Sequence, residues 1–225
     1  MLKTYQETQT ESHVPADSDS PDAQPTVFVV DDEKSMRKSL SWLFESVKLQ
    51  VRAFADANEF LEFYDRSQAG CAVLDVKMPG MNGLELQEKL RAERIEIPIV
   101  FLTGFADVPM AVRGMEGGAL HFLEKPVSDQ VLLEHVHRAL EIDRRNRASR
   151  AAYQEIAERI DSLTPRELEV VEYVVKGDSS REIADELKIS FKTVEAHRAR
   201  IMKKMQAHGV AELIRMWLTV ADQER

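Results

Sequence analysis

Two adjacent aspartates, Asp31 and Asp32, close the apolar run "TVFVV". Side by side, each carboxylate disfavours the ionised form of the other, so the pair suits a place where a cation is expected. Three further apolar runs end on groups of complementary chemistry. "CAVL" ends on Asp75, "IVFL" on Thr103 followed by Gly104, and "HFLE" on Lys125 before Pro126. Three carboxylates, a hydroxyl and an amine at one edge could carry out phosphoryl transfer. Clustered carboxylates repel, and a hard cation with oxygen ligands relieves the repulsion. Mg2+ is the natural choice, because it is held by one or two carboxylates and keeps waters that phosphate oxygens can replace. With the charge screened, Asp75 can attack as a nucleophile and form an acyl phosphate. Lys125 would neutralise one phosphoryl oxygen, and the Thr103 hydroxyl would hydrogen-bond to another. Taken singly, these residues read as helix caps and ordinary loop dipeptides; together, at strand ends and in this order, they read as a site.

The elements that must position them are visible as a rhythm. Apolar runs at Val27–Val30, Val51–Phe54, Cys71–Leu74, Ile99–Leu102 and Leu120–Leu123 read as strands, nearly all apolar and so expected to be covered on both faces. Helical 3–4 spacing fills the intervals: Met36, Leu40, Leu43 and Val47, for example, or Val131, Leu132, Val136 and Leu140. Five βα units predict an α/β domain with a doubly wound five-stranded parallel sheet over 26–145. In such sheets ligands bind outside the carboxyl ends of the strands, where the residues named above fall.

Residues 1–25 carry five acids against one lysine and no periodicity, which predicts a disordered tail. Residues 146–160 are strongly charged without Pro or Gly, so a helical linker continuing the fifth helix is expected. Its thin stripe of Ala148, Ala152, Ile156 and Ile160 could pair with a second copy. Residues 161–225 predict a small all-α domain of four helices. It opens with Thr164 as N-cap, Pro165 at the first position and Glu167 three residues after the cap.

The formal charge of −9 excludes a protein that coats nucleic acid all over, yet leaves room for a local basic face. From Lys188 to Lys204 six bases face one acid, whereas Asp161–Leu187 holds eight acids and three bases. One helix therefore carries the positive field, as a phosphate-contacting element does. Its Val194, Ile201 and Met205 fall on the core side. Lys192, Thr193, Glu195, Ala196, His197, Arg198 and Arg200 are the candidate DNA-contacting set, the N-terminal half reaching base edges and the bases setting register on phosphates. The plainer alternative is a solvated basic face. A single cysteine, Cys71, excludes an internal disulfide, and no apolar run approaches the roughly 20 residues that span a bilayer. A cytoplasmic protein without a membrane partner is expected.

Residues 26 to about 145 resemble the receiver domain of two-component response regulators, through "VVDDE", "LDVKMPGMNGLEL", "IVFLTGFADVPMAV" and "HFLEKP". "DVPMAV" is similar to the FixJ branch in particular. The stretch "LTPRELEVV…EIADELKISFKTVEAHRARIMKKM" resembles the LuxR/FixJ-type helix-turn-helix. The resemblance implies that Asp75 is the phosphoacceptor. It implies metal binding by Asp31, Asp32 and Asp75 with the backbone carbonyl of Lys77, a cis bond between Lys125 and Pro126, and a switch made by Thr103 and Phe122. It further implies a cognate histidine kinase, promoter DNA, and a homodimer through the fourth helix, fifth strand and fifth helix, with RNA polymerase as a further partner. Two departures stand out. His121 occupies a position where the family often has an acid or another polar residue, and Phe105 one where FixJ relatives often have His. The Lys77 side chain is expected near the phosphoryl group, where it would tune the acyl phosphate lifetime. A regulator rather than an enzyme is expected. The rivals are a phosphorelay or protein-binding receiver without DNA output, and a phosphatase turning over small phosphate esters.

Overall fold

The computed structural model describes residues 24–104 and 107–221. The expected N-terminal tail, apart from Gln24 and Pro25, and Phe105 lie outside the described residues. Two compact units divide the chain, the first ending at Arg147 and the second starting at Ala148.

The first unit alternates strands and helices: β1 (Thr26–Val30), α1 (Lys34–Ser46), β2 (Gln50–Phe54), α2 (Ala57–Phe63), β3 (Gly70–Leu74), α3 (Gly83–Ala92), β4 (Ile99–Thr103), α4 (Val108–Glu116), β5 (His121–Glu124) and the first part of α5 (Asp129–Asp161), which from Ala148 belongs to the second unit. All pairings are parallel, in the order β2-β1-β3-β4-β5. The order reverses at β1 and β3, the two strands that deliver the aspartates. Apolar side chains split by face. Phe28, Phe54, Phe60, Leu84, Leu90 and Phe101 form one cluster on the side of α2 and α3. Val27, Val29, Phe44, Val100, Leu132 and Val136 form the other on the side of α1 and α5.

The expectation of strands covered on both faces holds for β3 and β4, which are buried throughout, and nearly so for β1. It fails for β2, where Gln50, Arg52 and Ala53 are exposed, and for β5, which is at best half-buried. Both are sheet edges, where the covering helices no longer extend past the strand. β5 also starts one residue later than its apolar run.

α5 is 33 residues long and runs without interruption through 146–160. Near its middle, Asp143 is buried and accepts the Gly70 amide at 2.9 Å. The stripe expected to pair with a second copy is partly consumed within the chain. Ile156 and Ile160, both within the second unit, pack into its own core, leaving Ala148 and Ala152 exposed.

That second unit contains α6 (Pro165–Lys176), α7 (Ser180–Leu187), α8 (Phe191–Met205) and α9 (Val210–Ala221) around Val170, Val174, Ile183, Val194, Ile201, Met205 and Leu213. Local sequence explains its helix starts. Thr164 with Glu167, and Ser179 with Glu182, close reciprocal capping boxes. α6 stops at Gly177, whose φ of 98° suits a residue without Cβ.

Candidate functional site

Parallel pairing carries the ends of β1, β3, β4 and β5 to one edge, and the ladder continues a residue beyond each end. Asp75 N donates to Val30 O (2.8 Å), Asp31 N to Phe54 O (3.2 Å) and Lys125 N to Thr103 O (2.8 Å). Side chains far apart in sequence are thereby brought into register. One carboxylate oxygen from each of Asp31, Asp32 and Asp75 lies within 4.8 Å of the others. Lys125 Nζ joins the two deeper ones, 2.7 Å from Asp31 Oδ2 and 2.8 Å from Asp75 Oδ2. Asp31 is nearly sealed, its side chain 3% exposed; Asp75 at 11% and Lys125 at 15% open slightly, and Asp32 faces solvent.

The electrostatics follow from this depth. Burial pushes the Asp31 carboxyl up, and Asp75 adds to it, against the hydrogen bonds from Lys125 and the Glu33 amide. For Lys125 burial acts downward, but the hydrogen bonds and charges of Asp31 and Asp75 together outweigh it and raise the ammonium above its ordinary range. The cluster thus already holds one cation between two carboxylates, with a third carboxylate in the open beside them.

Backbone geometry aims these groups. Asp31 Oδ1 accepts from Glu33 N at 2.8 Å, and Asp75 Oδ1 from Lys77 N at 3.1 Å. The Lys125–Pro126 bond is cis. Thr103 is fully buried at the end of β4. Phe122, half-buried on β5, lies 5.6 Å from Phe101, centroid to centroid. Lys77 is exposed. Two supporting residues escaped the sequence reading. Arg37 Nη1 donates to the Asp31 carbonyl at 2.7 Å from the first turn of α1. A Cβ on Gly83 would sit 2.2 Å from the Asp75 carbonyl, so α3 can start this close to β3 only with glycine there. An arginine six residues after an aspartate carries no local signal of that bond.

On α8, Val194, Ile201 and Met205 are buried as their spacing predicts. Lys192, Thr193, Glu195, Ala196 and Arg200 are exposed along the opposite side, while His197 and Arg198 are half-buried. The Nδ1 of His197 is buried in the unit without a hydrogen-bond partner, so this residue faces inward as much as outward. Ser190 caps the helix, its Oγ accepting from Thr193 N at 3.1 Å. One base counted into the positive field is engaged elsewhere. Lys204 Nζ lies 2.7 Å from Glu167 Oε2 and 2.9 Å from the Ser162 carbonyl. Glu167 is buried, which by itself would raise its carboxyl, but Lys204 and the Thr164 bonds hold it down at about 2.

Comparison with known proteins follows the same division. Residues 27–137 match the response regulator receiver domain, and residues 161–217 the bacterial regulatory proteins of the luxR family. Nodulation protein W of Bradyrhizobium diazoefficiens is 45% identical over 190 residues, 84% of either chain. Transcriptional regulatory protein FixJ of the same organism is 42% identical, over 84% of this chain and 93% of its own. Among solved structures, response regulator StyR aligns with a TM-score of 0.81 at 42% identity, over 86% of this chain and 98% of that one. Full-length FixJ from B. japonicum aligns at 0.53 and 39%, over 88% and 98%. With an acidic pocket in one unit, a capped helix-turn-helix in the other and identity running through both, the chain belongs to the response regulators that carry a LuxR-type DNA-binding domain.

Proposed function

We propose that the chain is a transcription regulator in which phosphorylation of Asp75 alters the surface of the receiver and thereby DNA binding. The carrying observation is the Lys125 ammonium bridging Asp31 and Asp75 with Asp32 alongside, a prepared polyanionic pocket with one cation already in place. We assign the receiver to residues 26–145, the helical linker to 146–160 and the DNA-binding domain to 161–225.

The donor is a phosphohistidine on a cognate kinase. An Asp75 carboxylate oxygen forms the new P–O bond as the P–N bond breaks, and the released imidazole nitrogen takes up a proton. Asp31, Asp32 and Asp75, with the Lys77 carbonyl, suit Mg2+, an all-oxygen set that leaves room for waters and phosphoryl oxygens. Bound there, the ion supplies positive charge against the developing negative charge of the transfer. Lys125 would hand its contact with Asp75 to a phosphoryl oxygen, and Thr103 would turn its hydroxyl to another. Phe122 then repacks into the space beside Thr103, changing the face of α4, β5 and α5, through which two copies associate. Val108, Val112, Met115 and Val131 expose apolar side chains on α4 and α5, which favours that choice of face. A dimer presents two copies of α8 to successive major grooves, with Lys192, Thr193, Glu195, Ala196, His197, Arg198 and Arg200 as the contacting set. Hydrolysis of the acyl phosphate resets the switch, with Lys77 setting its lifetime. We place the protein in the cytoplasm, with promoter DNA and RNA polymerase as its output partners.

Acetyl phosphate with Mg2+, followed by mass spectrometry, tests the assignment. One phosphoryl group localised to Asp75, and none on Asp75→Ala, is expected. An unlabelled native chain, or labelling at another residue, rejects it.

A further inference from the structure

Side chains along β5 alternate between two faces. Phe122 packs into the cluster on the side of α2 and α3, whereas Leu123 packs into the one on the side of α5. His121 shares the face of Leu123. Its ring lies 3.7 Å from that of His135 on α5, centroid to centroid, at an interplanar angle of 41°. Both residues are half-buried, and the Nδ1 of His135 is buried without a hydrogen-bond partner. Burial lowers the proton affinity of His121, and the nearby His135 and Arg138 lower it further, with Glu134 opposing. All three charged neighbours belong to α5. β4 pairs His121 with Val100 and so adds no charge. α4, which also packs on β5, carries Arg113, held by Glu88 of α3, and the exposed Glu116.

We propose that His121 and His135 form a proton-sensitive contact that holds β5 to α5 while at most one ring is charged, and releases it when both are. A neutral imidazole packs well against a neutral or a charged one. Two imidazolium rings this close repel, with Arg138 adding to the repulsion and partial burial limiting the water that would screen it. Release loosens the α5 side of the edge strand that carries Phe122, the next residue along β5, while its pairing to β4 persists. Acid would therefore shift the β5–α5 surface without any phosphoryl transfer. The contact stands on ring geometry alone and does not depend on Asp75 accepting phosphate.

The test is a pH titration of the full chain, labelled at histidine and followed by NMR without a phosphoryl donor, with His121→Gln and His135→Gln to assign the signals. His121 is expected to titrate below its ordinary value of 6.5 and to move back toward it in His135→Gln. Urea unfolding supplies a second readout. The folded state binds fewer protons at His121 than the unfolded chain does, so stability falls as pH drops through 6.5 and levels off once His121 itself charges. Each variant should lose less stability than the native chain over that window. Ordinary titration of His121, unmoved by removing His135, or equal acid losses in all three proteins, would overturn the proposal.

Discussion

Asp31 is the residue at which the proposed function and stability pull apart. Its carboxyl is raised from the ordinary 3.8, chiefly by burial, so the folded state holds that proton more tightly than the unfolded chain. A raised acid stabilises the fold only at low pH, and the contribution is lost as pH rises past 3.8 and through the folded value. At neutral pH the ionised Asp31 is therefore a cost carried for the sake of the site. Asp31→Asn should raise stability in Mg2+-free buffer by about 1 kcal/mol, the usual gain from relieving a strained functional position. The same variant should lose the stabilisation that added Mg2+ confers on the native chain. Thermal unfolding with and without the ion measures both, and a variant less stable than the native chain in both buffers would refute the account.

Among the elements, α6 depends on a buried acid that does two tasks. Glu167 closes the capping box with Thr164 and also binds Lys204 of α8, tying the start of one helix to the end of another. Glu167→Gln keeps the cap geometry but removes the charge that Lys204 needs, and should cost about 2 kcal/mol at neutral pH, the scale of one charge-assisted hydrogen bond. The pH dependence has a definite sign. The Glu167 carboxyl is held down at about 2, so its contribution is complete above 4.5 and disappears as pH falls toward 2. Chemical unfolding of native and variant proteins should differ at neutral pH and converge in acid; a constant gap would disprove the charge argument. Both boxes could be read in the sequence, because a cap and its acid are three residues apart. The diversion of Lys204 could not, since Glu167 lies 37 residues away. Nor could the burial of Asp143, which stands in the charged run "EIDRRNR" yet accepts the Gly70 amide inside the first unit.

For the whole molecule, the proposed consequence of phosphorylation is a change of association. Beryllofluoride, a stable mimic of the phosphoryl group, should make the native chain elute earlier in gel filtration and bind promoter DNA more tightly. Asp75→Ala should show neither effect. Earlier elution of Asp75→Ala on beryllofluoride, or no change in the native chain, would separate the switch from that aspartate. Association through the proposed face would bury the apolar side chains exposed on α4, and each Å2 so buried would contribute roughly 25 cal/mol. An uninterrupted α5 also alters what the linker can contribute. Ile156 and Ile160 are already packed within the second unit, so only Ala148 and Ala152 of the predicted stripe remain for a partner copy.

What the sequence determined by itself is whatever depends on near neighbours: the alternation of strands and helices, the caps, the core side of α8, and the placing of each acid, hydroxyl or amine at a strand end. Periodicity and caps act over a few residues, so a single chain suffices to read them. Tertiary structure alone decided which of those ends meet. The strand order sets Asp31 beside Asp75 and brings Lys125 across 94 residues to Asp31. It also placed Arg37 on the Asp31 carbonyl and His135 against His121. Such pairings come from faces packing together, and a side chain's spacing along the chain carries no record of the partner it will meet.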